Sequence, residues 1–153
     1  KNHKSLKTKV MNMEEIKFPE STFDVIISAG SLSYGDNKKV SEEIYRVLKP
    51  NGFFICVDSL NHNPIYIINR IIQFLFYKRS FSTIINMPTL FTIKKYERIF
   101  SSVNVHYFGT ISFLGFLFRR KSLLNIFLKA SKKLDSIPLI KLMAFKFVLV
   151  AQK

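Results

Sequence analysis

The amino-acid sequence predicts an α/β domain with a parallel βαβ unit, and three consecutive segments indicate it. Residues 24–28 and 52–59 are mostly apolar runs, typical of strands that are covered on both faces of a sheet. The segment between them carries aliphatic residues at helical spacing, on one helix face: Val40, Ile44, Val47 and Leu48. Two strands joined by a helix form a right-handed unit whose ligands bind beyond the carboxyl ends of the strands.

The ends of these elements carry signals of their own. Residues 6–11 are a short strand candidate ahead of the unit. Asp36 is placed to cap the helix, and the proline and glycine of residues 49–52, KPNG, predict its end. The small residues 28–30 follow the first strand of the unit. They suit either a tight turn or a ligand that approaches the backbone closely.

Local patterns also predict the elements beyond residue 60. In chain order they are a helix at 64–77 with Pro64 in its first turn, a helix at 92–101 capped by Thr92, a strand at 104–113, an amphipathic helix at 122–134 and a strand at 145–153.

Composition narrows the classes of function. The chain has 153 residues, 48% of them hydrophobic, so we expect a folded domain. The single cysteine, Cys56, excludes an internal disulfide, and the three histidines are too far apart in sequence to suggest a metal site. No apolar run approaches the roughly 20 residues that cross a bilayer. With no signal peptide apparent, we expect a cytoplasmic protein.

Positive charge is concentrated in the second part of the chain. The formal net charge is +14; residues 1–60 carry 9 basic and 8 acidic side chains, and residues 61–153 carry 15 and 2. This excess favours anionic partners such as phosphates or a membrane surface, although a lysine-rich solvated surface explains it at least as well. Nucleic acid is not expected, because no recognised binding motif accompanies the charge.

Residues 10–58, VMNMEEIKFPESTFDVIISAGSLSYGDNKKVSEEIYRVLKPNGFFICVD, resemble the middle of a class I S-adenosylmethionine-dependent methyltransferase of the type 11 group. That family has an acidic residue soon after its third strand, a Phe-Asp turn into an apolar fourth strand, a small-residue loop, and a helix that ends in a motif like RVLKPNG. The later segments look like the family's last helix and its final two strands. The resemblance thus implies a Rossmann-like methyltransferase sheet with an antiparallel C-terminal strand.

Two family features are missing from the sequence. Neither the glycine-rich loop that meets the methionine part of the cofactor nor the acidic residue that holds the ribose is found. The resemblance therefore implies an incomplete sheet and a single partial domain, in which residues 1–60 form the cofactor-side core, 61–91 a substrate lid and 92–153 the C-terminal helices and strands. We expect a fragment of a longer enzyme, inactive on its own.

The resemblance assigns the cofactor side of the site to Asn12, Met13, Ser28, Ala29 and Gly30. Asn12 stands where the family has an acidic residue that accepts a hydrogen bond from the adenine amino group, and an amide oxygen can accept it equally well. The backbone N–H of Met13 would face the adenine ring, and residues 28–30 would form the floor. From the residues alone, Asn12 is a turn residue that follows a strand.

Ser33, Tyr34 and Asn61 occupy positions where the family faces its substrate, and Asp58 and His62 would lie at the rim. No general base is assigned, because the His-rich pair that the family often has at this place is absent. Methyl transfer from a sulfonium is an in-line displacement that mainly needs alignment and exclusion of water, so no catalytic triad or carboxylate pair is required. The resemblance predicts S-adenosylmethionine as cofactor and a small-molecule, glycan or lipid-linked acceptor.

Residues 64–90 lie where the family has its substrate lid. Their aromatic side chains suit a bulky or lipid-linked acceptor, or they belong to the core: Tyr66, Phe74, Phe76, Tyr77 and Phe81. An alternative function is a non-catalytic basic module that binds an anionic membrane surface. Its contacts would be the lysines 129, 132 and 133 beside an apolar stripe of Leu123 and Phe127.

Overall fold

The structure is a computed structural model that describes residues 7–76, 80–111 and 121–153. Its sheet has four strands in the order β1-β2-β4-β3, namely β1 (Phe23–Ala29), β2 (Leu48–Ser59), β3 (Ser102–Phe108) and β4 (Lys146–Gln152). Strand β1 runs parallel to β2, and β4 runs antiparallel to both β2 and β3. The predicted α/β class and the antiparallel C-terminal strand are confirmed.

Five helices are described: α1 (Asn37–Val47), α2 (Pro64–Leu75), α3 (Phe81–Ile85), α4 (Leu90–Ile99) and α5 (Lys121–Asp135). Short 3-10 turns lie at Leu32–Tyr34 and Ile140–Met143. In the described parts of the chain, no helix is both long and apolar enough to cross a membrane. The proposed division of the chain at residues 60 and 91 stays a prediction.

The core lies on one face of the sheet, which we call the covered face. Alternate residues of β2 and β4 point to it: Phe54, Cys56, Phe147, Leu149 and Ala151. They pack against the buried sides of helices α1 and α4, where the Phe54 and Tyr96 rings stack with centroids 5.6 Å apart. The period-2 alternation of the strands therefore puts both helices on the same side.

The opposite, open face of the sheet is apolar and exposed at β1. Val25, Ile27 and Phe53 are 48, 73 and 40% exposed. The prediction that β1 is covered on both faces is therefore wrong for this chain. Both helices that contact the apolar strands lie on the covered face, so the second apolar side of β1 meets no described helix.

The predicted helix between the first two strands is confirmed. The Asp36 carboxylate caps α1 by accepting hydrogen bonds from the backbone N–H of Lys38 at 2.7 Å and of Lys39 at 3.4 Å, and these bonds lower its pKa. The helix ends at Val47, just before the KPNG segment that predicts its end, and KPNG itself belongs to the next strand. It forms an irregular start of β2, in which Asn51 adopts a left-handed backbone with φ 62°.

Three sequence predictions need correction. The described residues 7–11 form no strand; none of the described strands lies beside the outer edge of β1, and Val10 is fully exposed. Thr92 is not the cap of α4, because Thr89 takes that place and Thr92 closes a reciprocal capping box from the third helical position. The strand predicted at 104–113 is shifted to Ser102–Phe108, and residues 112–113 lie outside the described residues.

Replacing Leu149 by alanine tests which sheet face carries the core. Leu149 is 1% exposed on the covered face, so its truncation should lower the free energy of unfolding by about 2–5 kcal/mol in urea titrations. The matched control is Val148→Ala, one residue away on the open face, with an expected loss of about 1 kcal/mol or less. Equal losses at the two positions would contradict a one-sided core.

Candidate functional site

A cavity of about 240 Å³ lies at the carboxyl end of β1. Three of the predicted cofactor residues line it together, Met13, Ser28 and Ala29. Ser31 adds a hydroxyl, and the other walls are apolar side chains from the neighbouring elements: Ile16, Ile26, Ile27, Val40, Ile44 and Phe54. The cavity thus combines a mostly aliphatic lining with a small-residue floor where the sheet edge leaves space.

The Met13 side of the cavity is an irregular segment that α1 holds in place. Glu43 accepts a hydrogen bond from the backbone N–H of Ile16 at 2.7 Å, and Arg46 donates to the carbonyls of Ile16 at 2.7 Å and Phe18 at 2.9 Å. Glu43 and Arg46 also pair directly at 2.8 Å, and this bond is the main cause of the lowered pKa of Glu43. Two charged residues of one helix turn therefore replace strand pairing for residues 16–18.

Asn12 is in a turn. Its side-chain oxygen accepts a hydrogen bond from the backbone N–H of Glu14 at 3.0 Å, and the residue is exposed and does not line the cavity. This is the turn role that the residue type alone suggests. The contact of Asn12 with an adenine amino group stays a prediction.

Gly30, the last of the predicted floor residues, follows Ser28 and Ala29 but is not among the residues that line the cavity. Gly30 has φ 68°, donates its N–H to the carbonyl of Val57 at 2.8 Å, and has no atom within 4 Å of the place where a Cβ would stand. Beside it the hydroxyl oxygens of Ser28 and Ser31 are 2.6 Å apart. The chain therefore leaves open space above a backbone turn that favours glycine.

Asp58 fastens the loop that carries this floor. Its carboxylate, 5% exposed at the end of β2, accepts hydrogen bonds from the backbone N–H of Leu32 at 2.9 Å and of Ser59 at 2.7 Å. Burial raises the pKa of Asp58. The sequence placed Asp58 only at the rim, although an acidic residue that ends an apolar strand already signals such a role. Ser31 was missed, since a serine in a small-residue loop has no distinguishing pattern.

The predicted acceptor residues do not line the cavity. Ser33 is buried, whereas Tyr34 is 70% exposed. Asn61 is held elsewhere, because its side-chain oxygen accepts a hydrogen bond from Arg70 at 2.8 Å and its backbone N–H donates to the carbonyl of Pro88 at 2.8 Å. Their roles toward an acceptor stay predictions.

No alternative chemistry stands out near this loop. Burial raises the pKa of the Cys56 thiol to about 12, so it is not a thiolate at neutral pH. Among the described residues, no three His, Cys, Asp or Glu side chains come together in a way that could hold a metal ion. Of the predicted lid aromatics, Tyr66 is buried and Phe76 and Phe81 are exposed, while Tyr77 lies outside the described residues.

Known methyltransferases match this chain both as a family model and as individual sequences. Residues 1–56 match the model of a methyltransferase domain. The ubiquinone/menaquinone biosynthesis C-methyltransferase UbiE of Rickettsia akari (strain Hartford) is 34% identical over 105 residues, which are 66% of this chain and 40% of that protein. The demethylmenaquinone methyltransferase of Listeria welshimeri is 42% identical over 53 residues, 34% of this chain and 22% of that protein. The chain thus spans less than half the length of these curated relatives.

Solved structures give the same fold. A geranyl diphosphate C-methyltransferase from Streptomyces coelicolor A3(2) superposes with a TM-score of 0.55 at 16% identity, over 95% of this chain and 52% of that one. An S-adenosylmethionine-dependent methyltransferase from Archaeoglobus fulgidus gives a TM-score of 0.54 at 15% identity, over 88% of this chain and 61% of that one. The family-model match and the sequence relatives support a class I S-adenosylmethionine-dependent methyltransferase, and the solved structures show the same Rossmann-like fold.

Proposed function

We propose that this chain supplies the adenine-side wall and part of the acceptor side of a methyltransferase site that is completed by a longer protein. The observation that carries the proposal is the shared cavity of Met13, Ser28 and Ala29 at the carboxyl end of β1. In open α/β sheets this edge is where ligands bind. The match of residues 1–56 to the methyltransferase model supports S-adenosylmethionine as the ligand.

The residues present fit one end of this cofactor. The aliphatic walls of the cavity suit a purine ring, and the hydroxyls of Ser28 and Ser31 can exchange hydrogen bonds with its polar edge. The open space above Gly30 lets a flat group approach the backbone. The sequence holds no glycine-rich loop or ribose-binding acid, so the other end of the cofactor would need residues from outside these 153.

The role of this chain in the proposed reaction is to position the cofactor. When bound, S-adenosylmethionine supplies a methyl group already activated on a sulfonium. The chain's own residues would hold one wall rigid and exclude water there, and Asp58 would keep the loop of residues 28–32 in register with β2 through its bond to Leu32. No side chain of the cavity is placed to act as a general base.

The open edge and face of the sheet support the proposal of a longer enzyme. Because Gly30 donates its N–H toward β2, alternation turns the N–H groups of Val25, Ile27 and Ala29 away from β2, where no described strand accepts them. Their side chains also form part of the open face. A neighbouring strand would accept hydrogen bonds from these N–H groups, and a helix following that strand would cover the open face.

We further propose an apolar small-molecule acceptor. The relatives with recognisable sequence are named for quinones, and the Streptomyces neighbour for geranyl diphosphate. Lipid-linked glycans are the alternative, and competition between short-chain quinone precursors and glycan acceptors in a methyl-transfer assay distinguishes them.

Cofactor binding tests whether the chain is part of a site. We expect calorimetry with S-adenosylhomocysteine to show no measurable binding to the 153 residues alone. A fusion of this chain to the N-terminal part of the Rickettsia akari relative should bind, because the fusion restores the missing wall. Tight binding to the chain alone would contradict the proposal of an incomplete site.

Replacing Gly30 by alanine in that fusion tests the position of the floor. The added methyl enters the open space above the backbone and should weaken S-adenosylhomocysteine binding by about tenfold or more. Gly109→Ala is the matched control, because Gly109 also has positive φ, at 87° against 68° for Gly30, but does not adjoin the cavity residues Ser28 and Ala29 in the chain. Equal losses of affinity would show that strain alone, rather than contact, explains the effect.

A further inference from the structure

Helix α2 is inverted with respect to an ordinary surface helix. Its exposed arc is apolar apart from Asn69, and its members are between 45 and 65% exposed: Ile65, Ile68, Ile71, Ile72 and Leu75. The side turned toward the protein carries Tyr66 and Arg70, which are 7 and 4% exposed. A soluble helix normally shows the reverse arrangement.

Polar anchors fix this orientation. Arg70 donates to the carbonyl of Leu60 at 3.2 Å and to the side-chain oxygen of Asn61 at 2.8 Å. Tyr66 stacks on Phe145 with centroids 4.1 Å apart, and Asn63, which caps the helix, donates to the carbonyl of Met143 at 2.8 Å. Since these buried groups would lose their partners if the helix rolled over, the apolar arc is held outward.

The apolar surface continues beyond α2. The Phe74 and Phe81 rings are 5.9 Å apart and join α2 to α3. Phe81, Ile85 and Phe91 are 63, 64 and 74% exposed, and the last two line one cavity with Lys95. We call this continuous area, from Ile65 to Phe91 over α2, α3 and the start of α4, the α2–α3 surface.

Basic side chains border the α2–α3 surface. Lys95 and Arg98 follow Phe91 on α4 at i+4 and i+7, and Lys38 of α1 lines a second cavity with them. Acidic groups nearby are Asp36, which caps α1, and Glu42. Beyond residue 60 the sequence carries 15 basic and 2 acidic side chains.

We propose that the α2–α3 surface docks onto an anionic lipid membrane. A contiguous apolar area rimmed by cations matches the acyl boundary and headgroups of such a membrane. This surface fits better than the α5 stripe predicted from sequence, because Leu123 and Phe127 are half-buried while the α2 arc is free to insert. The inference goes beyond the proposed function and does not depend on cofactor binding.

Vesicle co-sedimentation of the 153-residue chain tests the proposal. We expect binding to vesicles of phosphatidylcholine mixed with phosphatidylglycerol, and about tenfold or more weaker binding to pure phosphatidylcholine. The double variant Ile68→Asn/Leu75→Asn should lower partitioning at least about tenfold, since it removes two inserted side chains. Lys95→Gln/Arg98→Gln should reduce the preference for phosphatidylglycerol while leaving the weak binding to pure phosphatidylcholine unchanged.

Two exposed apolar residues elsewhere serve as controls. Ile126→Asn on α5 and Ile27→Asn on the open sheet face, 59 and 73% exposed in the wild type, should leave vesicle binding unchanged. Circular dichroism melts check that each variant is folded. Loss of binding in Ile126→Asn, full binding in the α2 double variant, or binding indifferent to lipid charge would overturn the proposal. The proposal would also be overturned if the wild type did not bind vesicles but formed a dimer that the α2 double variant abolished. The occupant of the surface would then be a second copy of the chain.

Discussion

The structure depends on the one-sided burial of its sheet. Alternation along β2 and β4 sends Phe54 and Leu149 into the same face, and α1 and α4 both pack there. Hydrophobic burial therefore fixes the two helices, the strand order and the position of β1 at an edge. The same arrangement leaves one apolar face and one strand edge exposed, and these are the features from which the proposed incompleteness follows.

The candidate site is built from hydrogen bonds that replace regular structure. Residues 16–18 have no described strand beside them, and Glu43 and Arg46 satisfy backbone groups of Ile16 and Phe18. On the other side of the cavity, Asp58 holds the loop after β1 by accepting the N–H of Leu32. Each of these carboxylates and the guanidinium holds backbone groups in place, so their contribution to the proposed methyl transfer would be alignment of the site.

The sequence predicts an element correctly where its local pattern agrees with the packing of that element in the fold. The β1-α1-β2 unit follows from apolar periodicity and the Asp36 cap, and the shared cavity of Met13 and Ala29 lies where the family resemblance implies a site. Residues 7–11 form no strand because strand formation needs a neighbour that a sequence pattern does not supply. The inversion of α2 could not be predicted either, since the apolar content of a helix does not say which side is covered, and the anchors of Arg70 come from residues about ten positions away.

Residue-resolved amide hydrogen exchange on β1 tests the central claim, that this strand is an open edge, most directly. Alternation places the N–H groups of Ile26, Ser28 and Gly30 against β2 and turns those of the intervening residues outward. The account predicts slow exchange for the first set and exchange near that of an unstructured peptide for Val25, Ile27 and Ala29. Equal protection of both sets in the 153-residue chain would contradict it, because β1 would then already have a partner on each side.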